Sequence, residues 1–505
     1  MREYRGMSIP ERCDLLVIGG GINGAGIARD AAGRGLSVIL VEQYDLAAAT
    51  SMASSKLIHG GLRYLEHGQL RLVREALAER EILLRTAPHL VRPLPFALPI
   101  DGALRPAWQI GAGLWLYDHV AGRSALPRSA RVELHADSGL RAEFRRAFLY
   151  SDAWGDDARL VTVNARSAAD LGASVLTHTR CTKLTPEGAG WIARLHRQDA
   201  EPMKISARAV VNATGPWVSR FLADSGVAEP HARARLVKGS HVVLKRSLPG
   251  ARAYLLQHTD RRVVFAVPFE DEFTLVGTTD VPVSDEPGLV AISTDEIEYL
   301  RAAFERYFAE SFGDAEIAWT FAGIRALYDD GSTNPSRLSR DYVLDMHHTT
   351  GGAPLLSVYG GKLTTYRRLA ERAMARLTAS LPGMGPAWTA QSRLPGGDIP
   401  DGDLGRFIDS MCIRYPALPV TWIRGLAHRH GSLADAILGS VRTPADLGPH
   451  FGGGLTAREV DYLIDSEWAM SADDILWRRT KAGLHVTGAA RADLAAYLTA
   501  KFARN

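Results

Sequence analysis

The sequence predicts an α/β chain in three parts: a Rossmann-like dinucleotide-binding unit, a mixed β-sheet unit inserted into it, and an all-α C-terminal unit. Three observations lead there. An apolar strand runs straight into a glycine-rich turn and a helix over residues 14–33, alternating β patterns fill 235–280, and beyond Pro395-Gly396-Gly397 the chain reads almost entirely helical. The expected boundaries are 1–95, 150–230 and 320–390 for the first unit, 96–149 and 231–319 for the inserted substrate-binding or cap unit, and 391–505 for the helical one.

Taken in order, Asp14–Ile18 is the first strand, Gly19–Gly24 the turn, and the second strand, SVILVE, ends at Glu42. Charges and leucines at helical spacing predict a helix over 70–86. A second amphipathic helix is expected at 157–171, capped at Asp156-Asp157. GSHVVLK, RRVVFAVPF and EFTLVGTTD read as strands, with Glu270-Asp271 as a hairpin turn; helical period returns at 295–311. The Gly-Gly pairs at 351–352 and 360–361 bracket a short apolar strand, and a helix follows from about Thr364.

Composition narrows the function. Of the 505 residues 46% are hydrophobic and 23% charged, which excludes a largely disordered chain. A net charge of +3 gives no argument for a nucleic-acid partner. Cys13, Cys181 and Cys412 form no CxxC or Cys/His cluster, so no disulfide scaffold and no metal site is expected. The charged segment MREYRGMSIPERCD lacks the apolar core of a signal peptide, and no apolar run approaches the ~20 residues of a spanning helix. The chain is expected to touch a membrane at most.

Gly19, Gly21 and Gly24 satisfy GxGxxG. The first glycine serves the tight turn, the second the close approach of backbone to pyrophosphate, and the third helix–strand packing. Ile22 and Asn23 open the helix whose N-terminus faces the phosphates. Glu42, eighteen residues after Gly24, can accept hydrogen bonds from the adenosine ribose and would repel a 2′-phosphate. No second strand–GxGxxG–helix unit occurs, and Val210–Gly215 is an apolar strand ending in ATG. One dinucleotide site with such a strand end favours tightly held FAD over exchangeable NAD. After Glu42, the small hydroxyl residues of Thr50-Ser51-Met52-Ala53-Ser54-Ser55 and the Gly60-Gly61 turn allow backbone to run along a flat cofactor.

SSKLIHGGLRYLE, DDARL, NATGPW, KGSH, VGTTD and GGKLTTYR, in this order, resemble the FAD-dependent, aerobic glycerol-3-phosphate dehydrogenase family over nearly the whole chain. The resemblance implies a Rossmann-like FAD-binding domain, oxidation of sn-glycerol 3-phosphate to dihydroxyacetone phosphate, and electrons passed on to a membrane quinone. An oxidase using oxygen, or a distant amino-acid-oxidase-like flavoenzyme, is the alternative. It also implies a substrate site lined by Arg63, Arg325 and Arg340, with Tyr64 beside the first, where guanidinium forks suit phosphate oxygens. Lys362, with the backbone N–H groups of Gly361, Leu363 and Thr364, can stabilise negative charge on the reduced flavin. His59 and His241 are both candidate proton acceptors. Thr50, Ser51, Ser54, Ser55, Lys56, Leu57, His59, Gly60 and Gly215 join the glycine motif as expected cofactor contacts. The sequence departs from the family at Ala326, where proline is expected after the arginine.

A quinone acceptor requires a surface that meets the bilayer, and the resemblance implies that it does so from the cytoplasmic side. Residues 104–120, LRPAWQIGAGLWLYDHV, carry Trp108, Trp115 and Tyr117 among leucines and suit such an interface as well as they suit a buried helix. The Trp477-Arg478-Arg479-Thr480-Lys481 run is a second candidate. A homodimer is left open.

Overall fold

The computed structural model describes residues 2–4, 7–120, 122, 124–197, 200–227, 234–283, 287–329 and 341–503. Its first sheet has the strand Arg12–Ile18 at the centre, flanked in parallel by Val38–Val41 and Met203–Asn212. Leu15, Leu16 and Val17 are wholly buried, as a parallel strand covered on both faces requires. Outward from that centre lie Ser174–Leu176 on one side and the antiparallel pair Gly190–Arg197 and Thr179–Glu187 on the other. Pro354–Tyr359 pairs in parallel with Met203–Asn212 and carries Val343–His348 at its outer edge. The helix Ile22–Gly33 follows the glycine turn and packs against Asp157–Asp170, whose N-cap Asp156 accepts from Arg159 N.

The second sheet runs, in spatial order, Val281–Pro282, Ala234–Leu244, Phe273–Gly277, Val263–Phe269, Ala253–Gln257, Val91–Pro99, Arg146–Gly155 and Leu57–Ile58. Ile317–Tyr328 is paired along the free side of Ala234–Leu244, and Ala130–Glu133 pairs with Arg146–Gly155. The hairpin turn falls where expected, with Glu270 and Asp271 both left-handed at φ 45° and 59°. The helix expected over 295–311 is shorter, Thr294–Tyr307, bounded by a Ser293–Glu296 capping box and by Phe308, which returns to extended backbone. The expected unit boundaries also need correction. Val91–Pro99, Arg146–Gly155 and Ile317–Tyr328 each belong whole to the second sheet, so the switches near 95, 150 and 320 fall inside its strands. Hydrophobic patterning could not show this, because strands of both sheets are equally apolar.

From Pro400 onward the chain is helical, with Leu404–Arg414, Val420–His430, Ala457–Glu467 and Gly488–Phe502 as its long elements. The Trp477–Lys481 run is no solvated or membrane-facing surface. Arg478 and Arg479 both close on Asp45, Lys481 Nζ lies 3.1 Å from Asp156 Oδ1, and Trp477 stacks on Trp319 at 4.5 Å. Arg159 pairs with Glu467 in the same buried seam. The other candidate surface differs: the helix Ala107–Val120 buries Tyr117 but leaves Trp108 76% and Trp115 62% exposed. Among the described residues no helix is long and apolar enough to cross a membrane.

Candidate active site

The carboxyl ends of Arg12–Ile18 and Val38–Val41 open into a cavity of about 680 Å³, whose far wall is the second sheet. That is where an open α/β sheet places its ligand. The glycine motif shapes one end. A Cβ at Gly19 would stand 2.4 Å from Ala213 O, and one at Gly24 would stand 1.9 Å from Gly19 O. Gly24 therefore packs helix on turn and does not itself line the cavity, while Gly19, Gly21, Ile22 and Asn23 do. Gly21 is the N-cap, with its helix N-terminus directed at the opening.

Asn23 carries two signals. Its Nδ2 donates to Gly360 O at 3.1 Å, tying the first helix to the distant Gly360-Gly361 turn. Its Oδ1 is buried and finds no partner among the described residues, as expected of a group awaiting a ligand donor. Glu42 lines the cavity and accepts from Gly20 N at 2.6 Å and from Tyr44 N at 2.9 Å. The carboxylate thus shapes the loop, and its remaining lone pairs are available to a ribose. Gly215 closes the same end with Thr214, Pro216 and Trp217, Thr214 Oγ1 donating to Asn212 Oδ1 at 2.7 Å. A glycine cradle, a helix N-terminus, an orphan acceptor and a carboxylate at the strand end together fit a dinucleotide with unmodified ribose hydroxyls.

Of the remaining expected contacts, Thr50, Ser51, Ser54, Ser55, Leu57, His59, Gly361, Lys362, Leu363 and Thr364 line the cavity. Lys56 and Gly60 do not. Lys56 is fully buried the other way, its Nζ 2.7 Å from Asp157 Oδ1 and 3.0 Å from Met52 O. Gly60 is buried against Leu77 and Tyr117, whose hydroxyl accepts from Gly60 N at 2.8 Å. Lys56 leaves the wall because its backbone is left-handed, at φ 57°, and turns the side chain onto Asp157, while Gly60 is packed too closely against Leu77 and Tyr117 to reach it.

The other end of the cavity is cationic. Arg63 and Tyr64 come from the short helix Leu62–His67, Arg325 from Ile317–Tyr328 and Lys362 from the turn before Leu363–Thr365. Lys362 Nζ lies 3.7 Å from the Tyr64 ring centroid. Arg340 lies outside the described residues. The two histidines separate. His59 lines the cavity, with its backbone N–H donating to Thr364 Oγ1 at 3.1 Å. His241 does not: it sits behind Ser55, Nε2 2.9 Å from Ser55 Oγ, its ring stacked on Phe321 at 4.8 Å. Burial, with Arg325 and Lys56 nearby, holds the His241 imidazole well below its usual pKa and so neutral.

Several lining residues escaped the sequence reading. Thr179, Arg180 and Thr182 enter from the sheet edge, Arg220 from the helix Val218–Ser225, and Leu255, Val263 and Phe265 from the second sheet. No local pattern marks these. Thr278 and Asp280 stand inside the VGTTD motif, and an acid closing a run of hydroxyl residues after an apolar strand was a usable signal.

Known proteins place the chain in a family. The FAD dependent oxidoreductase family matches residues 14–367, and the C-terminal domain of alpha-glycerophosphate oxidase matches residues 387–500. The chain is 50% identical over 490 residues to a glycerol-3-phosphate dehydrogenase of Pseudomonas aeruginosa, covering 97% of this chain and 96% of that one. It is 46% identical over 490 residues to the D-erythritol 1-phosphate dehydrogenase of Brucella abortus, covering 96% and 97%. Its fold matches a glycerol-3-phosphate dehydrogenase from Bacillus halodurans solved with FAD, at a TM-score of 0.73, 28% identity and 94% and 86% coverage. The cofactor is FAD, and the chain belongs to the FAD-dependent glycerol-3-phosphate dehydrogenase family.

Proposed function

We propose that the protein oxidises sn-glycerol 3-phosphate to dihydroxyacetone phosphate and delivers the electrons to a membrane quinone. The observation that carries this reading is a single cavity with a dinucleotide cradle at one end and Arg63, Arg325, Lys362 and His59 at the other. When bound, FAD supplies the hydride-accepting ring. The chain supplies the rest. Guanidinium groups of Arg63 and Arg325 bind and orient a phosphate dianion, a task for which the planar fork is suited. His59, the cavity-lining histidine, takes the proton of the reacting hydroxyl, and Arg325 stabilises the charge that builds on that oxygen. Lys362 and the backbone N–H groups after it offset negative charge at the cofactor end. Tyr64 and Phe265 wall the site against water.

Anaerobic addition of glycerol 3-phosphate to the FAD-loaded protein tests this. Bleaching of the flavin absorbance is expected, with glycerol far slower because it offers no phosphate to the arginines. Equal bleaching by both would refute a phosphate pocket. Erythritol 1-phosphate belongs in the same series, since a relative of comparable identity is named for it.

The acceptor is the finer part of the proposal. Supporting a quinone, and a peripheral position on the cytoplasmic face of the membrane, are the exposed Trp108 and Trp115 on Ala107–Val120. Oxygen is the second reading, favoured by the C-terminal match to a glycerophosphate oxidase domain. Hydrogen peroxide yield against reduction of a soluble quinone separates the two.

A further inference from the structure

A carboxylate faces the cavity where a dianion is to bind. Asp280 lines the wall beside Arg325, and like charges a few ångströms apart repel, so substrate binding alone gives no reason for it. The geometry supplies another. Arg325 stands on Ile317–Tyr328 opposite Val237, with Nη1 donating to Asp280 Oδ1 and Nη2 to Thr278 Oγ1 at 2.8 Å. Below the guanidinium is Gly239, where a Cβ would stand 2.3 Å from Nη2 and 2.7 Å from Thr278 Oγ1, so any side chain there would push the fork out of its seat.

The anchoring segment is itself held from both sides. Arg262 Nη1 donates to Asp280 O at 3.1 Å, and Thr279 Oγ1 accepts from Ser240 N at 2.9 Å and donates to Glu296 Oε1 at 2.8 Å. Thr278 Oγ1 donates to Thr279 O at 3.2 Å, which leaves its lone pairs for the arginine.

Resting on the reading of Arg325 as the substrate-facing cation, we propose that Asp280 is a positioning residue. With Thr278 it fixes the Arg325 fork in one orientation before substrate arrives, at the expense of some affinity for the phosphate. A cation that is already oriented stabilises developing charge without reorganising, and that benefit belongs to the rate rather than to binding.

The test uses FAD-loaded wild type and Asp280→Asn, with two readouts: the limiting rate of anaerobic flavin reduction by glycerol 3-phosphate, and the Kd of inorganic phosphate by calorimetry. Expected is a rate lower by at least about tenfold while phosphate binds no more weakly than to wild type. A merely supporting residue would weaken both together, and that result overturns the proposal, as does an unchanged rate. A loss beyond about a thousandfold that also removes an ionisation from the pH profile would make Asp280 the proton acceptor itself, and overturns it too. Thr278→Val carries the same test without altering charge: the rate drops severalfold and phosphate affinity stays put, whereas an unchanged rate counts against the proposal even if Asp280→Asn does not fold. A wild type left oxidised by glycerol 3-phosphate brings down the Arg325 reading and this inference with it; a wild type that is reduced, beside variants that match it, brings down this inference alone.

Discussion

Replacing Asp45 by Asn should loosen FAD, although Asp45 is no part of the cavity wall. The loop from Tyr44 to Leu57 supplies much of that wall, and Asp45 is where the C-terminal unit grips it. Its carboxylate accepts from Arg478 Nε at 2.6 Å and from Arg479 Nη1 and Nη2 at 2.9 and 2.7 Å, all beneath the surface. Asparagine keeps the shape but turns one acceptor into a donor that faces N–H groups. One charge-assisted bond is lost if the amide nitrogen takes the Oδ1 position and two if it takes Oδ2, at ~1.5–3 kcal/mol each, and the bonds that stay lose their charge assistance. That agrees with the ~3–5 kcal/mol for stranding one side of a buried ion pair. If only about 1.4 kcal/mol of this reaches the loop, the Kd for FAD rises about tenfold. Titrating apoprotein with FAD and following flavin fluorescence measures it, with thermal unfolding in parallel. Arg479→Met should act in the same direction, because it removes two of the three bonds to Asp45 and leaves only Arg478 on the loop. A lowered melting temperature with FAD affinity within about twofold of wild type would show that the seam supports stability alone, and the reasoning about the loop would be wrong.

Other expectations bear on single groups. Glu42→Ala should purify with less FAD, losing ~1.5–3 kcal/mol of charge-assisted hydrogen bonding at the strand end, and full occupancy with unweakened affinity would sink the ribose assignment. Arg325→Ala should slow the limiting rate of flavin reduction about a hundredfold, with Arg325→Lys recovering part of it. Stopped-flow data in which only apparent affinity falls would reduce Arg325 to a phosphate contact. His89 is buried, and that burial, helped by Arg159, His430 and His428, pushes its pKa down to about 3. The folded form stays neutral while the unfolded chain gains a proton, so stability is full above pH ~6.5 and falls by up to ~1.4 kcal/mol per unit from there down towards the folded value. Urea unfolding at pH 7, 6 and 5 should show a slope at least that steep, because His241 and His428 are depressed in the same way, and His89→Gln should lessen it by the share of one group.

Local grammar made the fold legible. The strand, glycine turn and helix of residues 14–33 sit within one continuous stretch, and Gly24 is required by Gly19 O five residues before it, although what crowds Gly19, Gly26 and Gly33 comes from Ala213, Tyr366 and Trp388. The Asp156 cap and the left-handed pair Glu270-Asp271 are of the same kind. What failed depended on partners far away in the chain. Arg478, Arg479 and Lys481 looked like a basic surface because Asp45 and Asp156 lie more than three hundred residues upstream. His241 is a different case: residue type alone made it one of two candidate bases, and its place behind Ser55, off the cavity wall, is set by pairing with Gly277 and Phe321. The cap unit was cut in the wrong places because sheet membership is a property of pairing, not of hydrophobicity.

The serine- and threonine-rich loop was read for the smallness of its side chains, and the structure gives their hydroxyls a second task. Thr50, Ser51, Ser54 and Ser55 all line the cavity. Each hydroxyl there already has protein to bond. Thr50 Oγ1 donates to Ile324 O at 2.6 Å, one residue from Arg325, and Ser51 Oγ accepts from Ile22 N at 2.9 Å at the first turn of the glycine-motif helix. Ser54 Oγ donates to Asp157 Oδ2 at 2.7 Å, and Ser55 Oγ meets His241 Nε2 at 2.9 Å. Four short side chains thus staple one loop to the dinucleotide helix, to the buried Lys56–Asp157 pair and to two strands of the second sheet. A hydroxyl is the right group for this because it reaches backbone without taking the space a flat cofactor needs. The loop is therefore the place where both sheets and the C-terminal unit are brought into one register, and a shift at Asp45 or Asp157 has a short path to the backbone around Arg325.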